Sequence, residues 1–204
     1  MTAIHYVMDP MCSWCWAFRP EWDKISAQVP QDASVRYVMG GLAPDSDAPM
    51  PDQMREYLQQ VWRTIAERTG AQFNDDFWKK CEPRRSTYPA CRAVIAARAQ
   101  GAEHSRTMID MIQRAYYLNA RNPSDKQTLV ELAEEIGLER DQFEAELGSA
   151  EVERTLRQEV AWARSVGADG FPSVLLEKDG RMLWLVRGYS KAEPIIERLA
   201  SALV

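Results

Sequence analysis

Four cysteines stand in this chain of 204 residues, and two of them, Cys12 and Cys15, are separated only by Ser13 and Trp14. Thiols at that spacing close a reversible disulfide or supply half of a zinc site. On a helix, a separation of three residues brings the two Cα atoms to roughly 5 Å, within reach of a disulfide. Such a pair exchanges electrons with other disulfides. One sulfur, as thiolate, attacks a substrate disulfide and forms a mixed disulfide; the other attacks the first and releases the substrate reduced. A four-sulfur zinc site wants a second Cys-x-x-Cys or a close histidine pair. Cys81 and Cys91 have nine residues between them, and His5 and His104 are far apart in sequence. No metal and no cofactor are therefore expected.

Redox chemistry asks for an element that favours a thiolate. A helix N-terminus does so through unpaired N–H groups and partial positive charge, and cysteine pKa values there fall from about 8.5 to roughly 3.5–7.5. Residues 3–8 (AIHYVM) read as a buried strand, broken by Asp9-Pro10. From Cys12 to about Val29 apolar residues recur at helical spacing: Cys15, Trp16, Phe18, Trp22 and Ile25. Cys12 thus falls at the helix start and gains most, with Cys15 one turn deeper. Residues 34–39 alternate as a second strand, stopped by Gly40-Gly41.

After a Pro- and Asp-rich loop at 42–51 the chain is helical to about residue 166. Helices are predicted from Pro51 to Gly70, over 74–80, from Pro89 to Gly101, over 103–119, from Ser124 to Gly137, around Phe143, and over 150–166. Ser124–Gln127 and Ser190–Glu193 have capping-box form. Residues 173–178 and 181–187 flank Asp179-Gly180, a hairpin signal, before a last helix. The order predicts an α/β domain of residues 1–42 and 150–204, with residues 43–149 as an all-helical insertion.

Asp9-Pro-Met-Cys-Ser-Trp-Cys-Trp16 is similar to the active-site motif of the DsbA-like branch of the thioredoxin superfamily, FrnE-type and predicted cytosolic disulfide-isomerase members included. Pro20 matches the proline inside the active-site helix, Phe171-Pro172 the cis-proline loop, and the helical block the DsbA-like insertion. The resemblance implies a thioredoxin-like fold with Cys12, Cys15 and Pro172 as the catalytic set. It also implies a cis Phe171–Pro172 bond beside Cys12, with the Phe171 backbone free to pair with an extended substrate. Trp14 is expected at the substrate surface. Asp9 is grouped with these substrate-side residues, either capping the helix start or taking a proton as Cys15 is activated. Ser86–Arg92 resembles a segment that faces the active site in DsbA-like and kappa-class glutathione transferase proteins. It makes Cys91 a candidate second thiol, although a small buried cysteine is the commoner role. Trp62, Trp78 and Trp162 are assigned to the core.

A net charge of −5 and a pI of about 5.2 give no electrostatic reason to bind nucleic acid or an anionic membrane. No stretch approaches the ~18 apolar residues of a membrane span. The N-terminus lacks a cationic stretch followed by a long apolar run, so the protein reads as cytoplasmic, where a structural disulfide framework is not expected. The expected partner is a protein or glutathione-type thiol or disulfide. Ser13-Trp14 adds no charge to the thiolate, which points to a couple of intermediate potential, a reductase or isomerase. Alternatives are a glutathione-dependent isomerase or transferase on the same fold, against which Cys15 argues, and a non-catalytic protein-binding adaptor.

Overall fold

The structure, a computed structural model, describes residues 2–203. Among these, strands β1 (Thr2–Met8), β2 (Ser34–Met39), β3 (Ser173–Lys178) and β4 (Arg181–Arg187) form one mixed sheet in the order β2-β1-β3-β4. β1 runs parallel to β2, with Ile4 opposite Val35, and antiparallel to β3, with Ile4 opposite Leu176. β1 is the central strand of an α/β sheet covered on both faces, which is why it reads as an apolar run rather than an alternation. Ile4, Tyr6 and Met8 join the main core with Phe18, Trp22 and Leu199, while Val7 joins a smaller cluster with Ala163 and Leu175 on the opposite face.

The helices are α1 (Ser13–Ser26), α2 (Asp52–Thr69), α3 (Phe77–Lys80), α4 (Tyr88–Ala99), α5 (His104–Tyr117), α6 (Lys126–Glu135), α7 (Arg140–Leu147), α8 (Ala150–Ser165) and α9 (Ala192–Leu203). α1 packs against α2 and α9, and α8 lies over β2 and α4. Gly70 ends α2 in the left-handed region at φ 77°, a conformation glycine reaches without steric cost. The main core does not stop at the edge of the sheet. It continues without a break through Trp62, Phe77, Met108, Ile112 and Tyr117. This is a thioredoxin-like fold of the DsbA type, with six helices, α2 to α7, entered between β2 and α8.

The element boundaries differ from the sequence reading mainly at caps. Ser124 does not cap α6; its hydroxyl donates to the Ser86 carbonyl at 2.7 Å, and Asp125 stands at the N-cap with no side-chain capping bond, its carboxylate accepting from Arg84 instead. Ser190 does not open α9 either. The first amide of that helix, Ala192, donates to Glu21 Oε2 at 3.0 Å, so a buried carboxylate from α1 supplies the acceptor. Tertiary partners replaced the local ones at both sites. Trp162 is half-buried rather than core, its ring 4.8 Å from that of His5. Among the described residues no helix is long and apolar enough to cross a membrane.

Candidate active site

Helix α1 begins one residue later than its motif. Cys12 is the N-cap, in extended conformation, and its N–H donates to the Asp9 carbonyl at 3.0 Å. The Cys12 side chain makes no capping bond to the first turn, so the N–H groups there are left open at the end of the helix where Cys12 stands. Its thiol points at the Phe171 carbonyl, 3.7 Å away. The Phe171–Pro172 peptide bond is cis, and the Pro172 carbonyl accepts from Gly188 N–H at 2.7 Å. The tip of the Phe171 ring abuts Gly40, where an added Cβ would sit 2.0 Å from it. Only a residue without a side chain fits there.

Cys15 is fully buried one turn into α1, behind Cys12, which keeps 7% of its surface exposed. Burial pushes the Cys15 thiol well up, and the neighbouring Cys12 sulfur adds to this by hydrogen bond and charge. All four cysteines are free thiols. Cys81 donates to the Ala120 carbonyl at 3.1 Å, away from the pair.

The insertion holds the start of α1 in place. Tyr117 donates its hydroxyl to the Met11 carbonyl at 2.7 Å, and its ring stacks on Trp16 at 5.6 Å. Trp16 Nε1 in turn donates to the Gln72 carbonyl at 2.9 Å. Trp14 stands half-buried between the Tyr189 ring, 5.6 Å away, and the Arg68 guanidinium, 5.2 Å from its centroid.

Asp9 is neither a helix cap nor a surface residue. It is completely buried and so out of reach of a substrate in this conformation. Its Oδ1 accepts from Met11 N–H at 2.8 Å. Its Oδ2 accepts from Leu42 N–H at 2.8 Å, the Thr87 hydroxyl at 2.7 Å and the Cys91 thiol at 3.5 Å. Burial raises the Asp9 pKa despite those four donors. Cys91, also fully buried, is pushed well up by burial and then by the Asp9 charge. Arg92 lends no charge to the redox pair, since its guanidinium is held by Asp45 and Glu153.

The raised Asp9 pKa has a measurable consequence. The folded protein holds that proton more tightly than the unfolded chain does. The resulting stabilisation is complete below the ordinary carboxyl value of about 4 and is lost as pH rises through the folded value. The stability of the wild type minus that of Asp9→Asn is therefore expected to fall between pH 4 and pH 8 in urea melts. A difference constant across that range would contradict it.

The structure brings Cys12, Cys15, Phe171, Pro172 and Trp14 to one place, and sets Asp9 and Cys91 beneath them. Two neighbours escaped the sequence, Arg68 and Tyr117, while Thr87 lies in the Ser86–Arg92 segment expected to face the site and its bond to Asp9 was not foreseen. A basic residue in the last turn of a helix normally answers the helix dipole, so Arg68 carried no separate signal. Thr87 and Tyr117 matter only because the insertion docks on α1.

Comparison with known proteins agrees with this fold. The DSBA-like thioredoxin domain profile matches residues 3–191. A candidate protein disulfide isomerase from Nitrosomonas europaea superposes with a TM-score of 0.89 at 25% identity, over 99% of this chain and 97% of that one. The cytosolic disulfide reductase DsbM from Pseudomonas aeruginosa superposes at 0.78 with 26% identity, over 98% of each. The ClpXP adapter protein SpxH of Halalkalibacterium halodurans is 27% identical over 180 residues, 86% of this chain; the match spans 58% of the adapter's length. The chain belongs to the DSBA-like thioredoxin domain family.

Proposed function

We propose that the protein is a thiol–disulfide oxidoreductase of the cytoplasm, working as a reductase or isomerase on protein or glutathione-type disulfides. The observation that carries this is the Cys12 sulfur at the N-cap of α1, 3.7 Å from the carbonyl of Phe171, with the buried Cys15 one turn behind. Cys12 thiolate attacks one sulfur of the substrate disulfide; the S–S bond breaks and the other substrate sulfur leaves as thiolate. Cys15 loses its proton and attacks Cys12, closing the Cys12–Cys15 disulfide and releasing the second substrate thiolate. Asp9, the buried carboxyl beneath the pair, is the acceptor this reading assigns to that proton. An extended substrate pairs with the Phe171 backbone, and Pro172 keeps the loop against the sulfurs. Residues 43–149 act as a helical insertion that shares the core of the sheet and frames one side of the site. The description of the Pseudomonas relative as a cytosolic disulfide reductase, solved also with GSH, supports both the compartment and the thiol class.

The test is oxidation of the reduced protein with glutathione disulfide, followed by peptide mapping. A Cys12–Cys15 bridge with Cys81 and Cys91 left as thiols is expected; a Cys81–Cys91 bridge would overturn the assignment. Equilibration against glutathione buffers then gives direction. A potential near the roughly −120 mV of the strong oxidant DsbA would exclude a reductase. A second reading, protein-binding adaptor, is favoured by the similarity to SpxH. An adaptor binds its partner equally well with and without Cys12.

A further inference from the structure

We propose that Arg68 makes this site selective for disulfides that carry a carboxylate beside the sulfur. The inference rests on the redox reading of Cys12 and Cys15 and names the substrate class for it.

Ser13 and Trp14, the two residues inside the motif, are uncharged. The fold nevertheless delivers a cation to Trp14 from 54 residues further along the chain. Arg68 sits in the last turn of α2, and α2 packs on α1, which lays the guanidinium over the Trp14 ring at 5.2 Å. Trp14 also contacts the Tyr189 ring, 5.6 Å away. The aromatic face holds the planar group without using any of its five N–H donors. Most arginines near the site are spent on carboxylates: Arg19 on Asp110, Arg92 on Asp45 and Glu153, Arg106 on Asp23. Arg68 has no acidic partner among the described residues and is exposed. It is thus a stacked, oriented, unneutralised cation at the rim of the redox pair.

Trp14 stands two residues from Cys12 inside the motif and the Phe171 carbonyl faces the Cys12 sulfur, so a disulfide that reaches Cys12 comes close to both. A carboxylate a few bonds from that sulfur then meets the guanidinium fork, a bidentate acceptor for a bidentate donor. Exposed pairs of this kind are weak, so the expected preference is about threefold to fivefold at low salt. Screening removes most of it at 1 M salt, where the Debye length is about 3 Å. Two sources share this chemistry: the carboxylate of a small thiol, or an Asp or Glu beside a cysteine in a polypeptide.

The test follows oxidation of the reduced protein by three disulfides of similar size, with tryptophan fluorescence as the readout. They are 3,3′-dithiodipropionate (anionic), hydroxyethyl disulfide (neutral) and cystamine (cationic). Each rate constant is divided by that of dithiothreitol with the same disulfide, which removes intrinsic reactivity. The anion is expected to be favoured over the neutral compound about threefold to fivefold. That ratio is expected to fall to about one in Arg68→Gln, to invert in Arg68→Glu, and to persist in part in Arg68→Lys. Peptide disulfides bearing Asp or Lys beside the cysteine separate the sources. Discrimination confined to the small compounds assigns the site to a small thiol, and discrimination among the peptides assigns it to polypeptide. Equal normalised rates for the three compounds overturn the proposal alone. So does fastest reaction with cystamine, which would make the exposed Asp169 of the Phe171 loop the dominant charge. Failure of the wild type to be oxidised by any of them overturns the redox reading, and this one with it.

Discussion

A Cys12→Ser protein is expected to lose disulfide reduction by on the order of a thousandfold or more, the scale of losing a catalytic nucleophile. No other thiol in the fold takes over. Cys15 and Cys91 have no exposed surface, and burial pushes both thiols well up, away from the reactive thiolate. Cys81 is half-buried and bonded to the Ala120 carbonyl, away from the pair. The companion variant, Cys15→Ser, behaves differently. It keeps the attacking sulfur and lacks the resolving one, so it stops at the mixed disulfide and accumulates it. Mass spectrometry of each variant after mixing with a model disulfide reads both outcomes: no adduct on Cys12→Ser, one adduct on residue 12 of Cys15→Ser. Retention of reduction within tenfold by Cys12→Ser would remove it as the nucleophile.

Trp62→Ala is expected to cost about 3–5 kcal/mol of stability, the range for truncating a large buried aromatic, and to lower Tm by on the order of 10 °C for a chain of this size. Trp62 is 2% exposed, and the rings of Phe73, Phe77, Trp78, Tyr116 and Tyr117 all lie within 6.0 Å of its own, measured between centroids. Removing the indole leaves a cavity that five stiff rings cannot collapse to fill. The effect reaches the redox helix, because Tyr117 also holds the Met11 carbonyl. Alkylation of Cys12 is therefore expected to change in rate along with the melting temperature. A loss below about 1 kcal/mol in urea unfolding would mean that the cluster repacks and the coupling is absent.

The strands, the redox helix and the hairpin were legible because each is written in local pattern: the apolar run of residues 3–8, the helical spacing after Cys12, the Asp179-Gly180 turn. The active-site set was legible for another reason. Cys12, Cys15 and Phe171-Pro172 stand in short motifs whose resemblance covers the elements around them. What could not be read was anything that depends on one distant segment meeting another. Two serines in capping-box sequences proved to be engaged elsewhere or bypassed, since Ser86 and Glu21 offered better partners across the fold. Asp9 looked like a helix cap because of its distance from Cys12. Its actual donors come from Met11, Leu42, Thr87 and Cys91, and the last three lie 33 to 82 residues away. Arg92, at the end of the segment expected to face the site, is neutralised by Asp45 and Glu153, while the unpaired cation over Trp14 is Arg68, from a helix that carried no such signal.

The scattered origin of the site has a consequence for how the protein is made. Cys12 and Phe171, whose sulfur and carbonyl face each other, are 159 residues apart in the chain. At synthesis rates of about 5–20 residues per second, the cysteine pair leaves the ribosome roughly ten to thirty seconds before the loop that faces it. The lining of Asp9 is completed in the interval, once Thr87 and Cys91 have emerged. Until Phe171 follows, Cys12 and Cys15 sit on a growing chain without the loop that faces them. The nascent thiols therefore begin as ordinary ones, open to any oxidant or to each other, and acquire their selective chemistry only when the C-terminal hairpin closes the sheet.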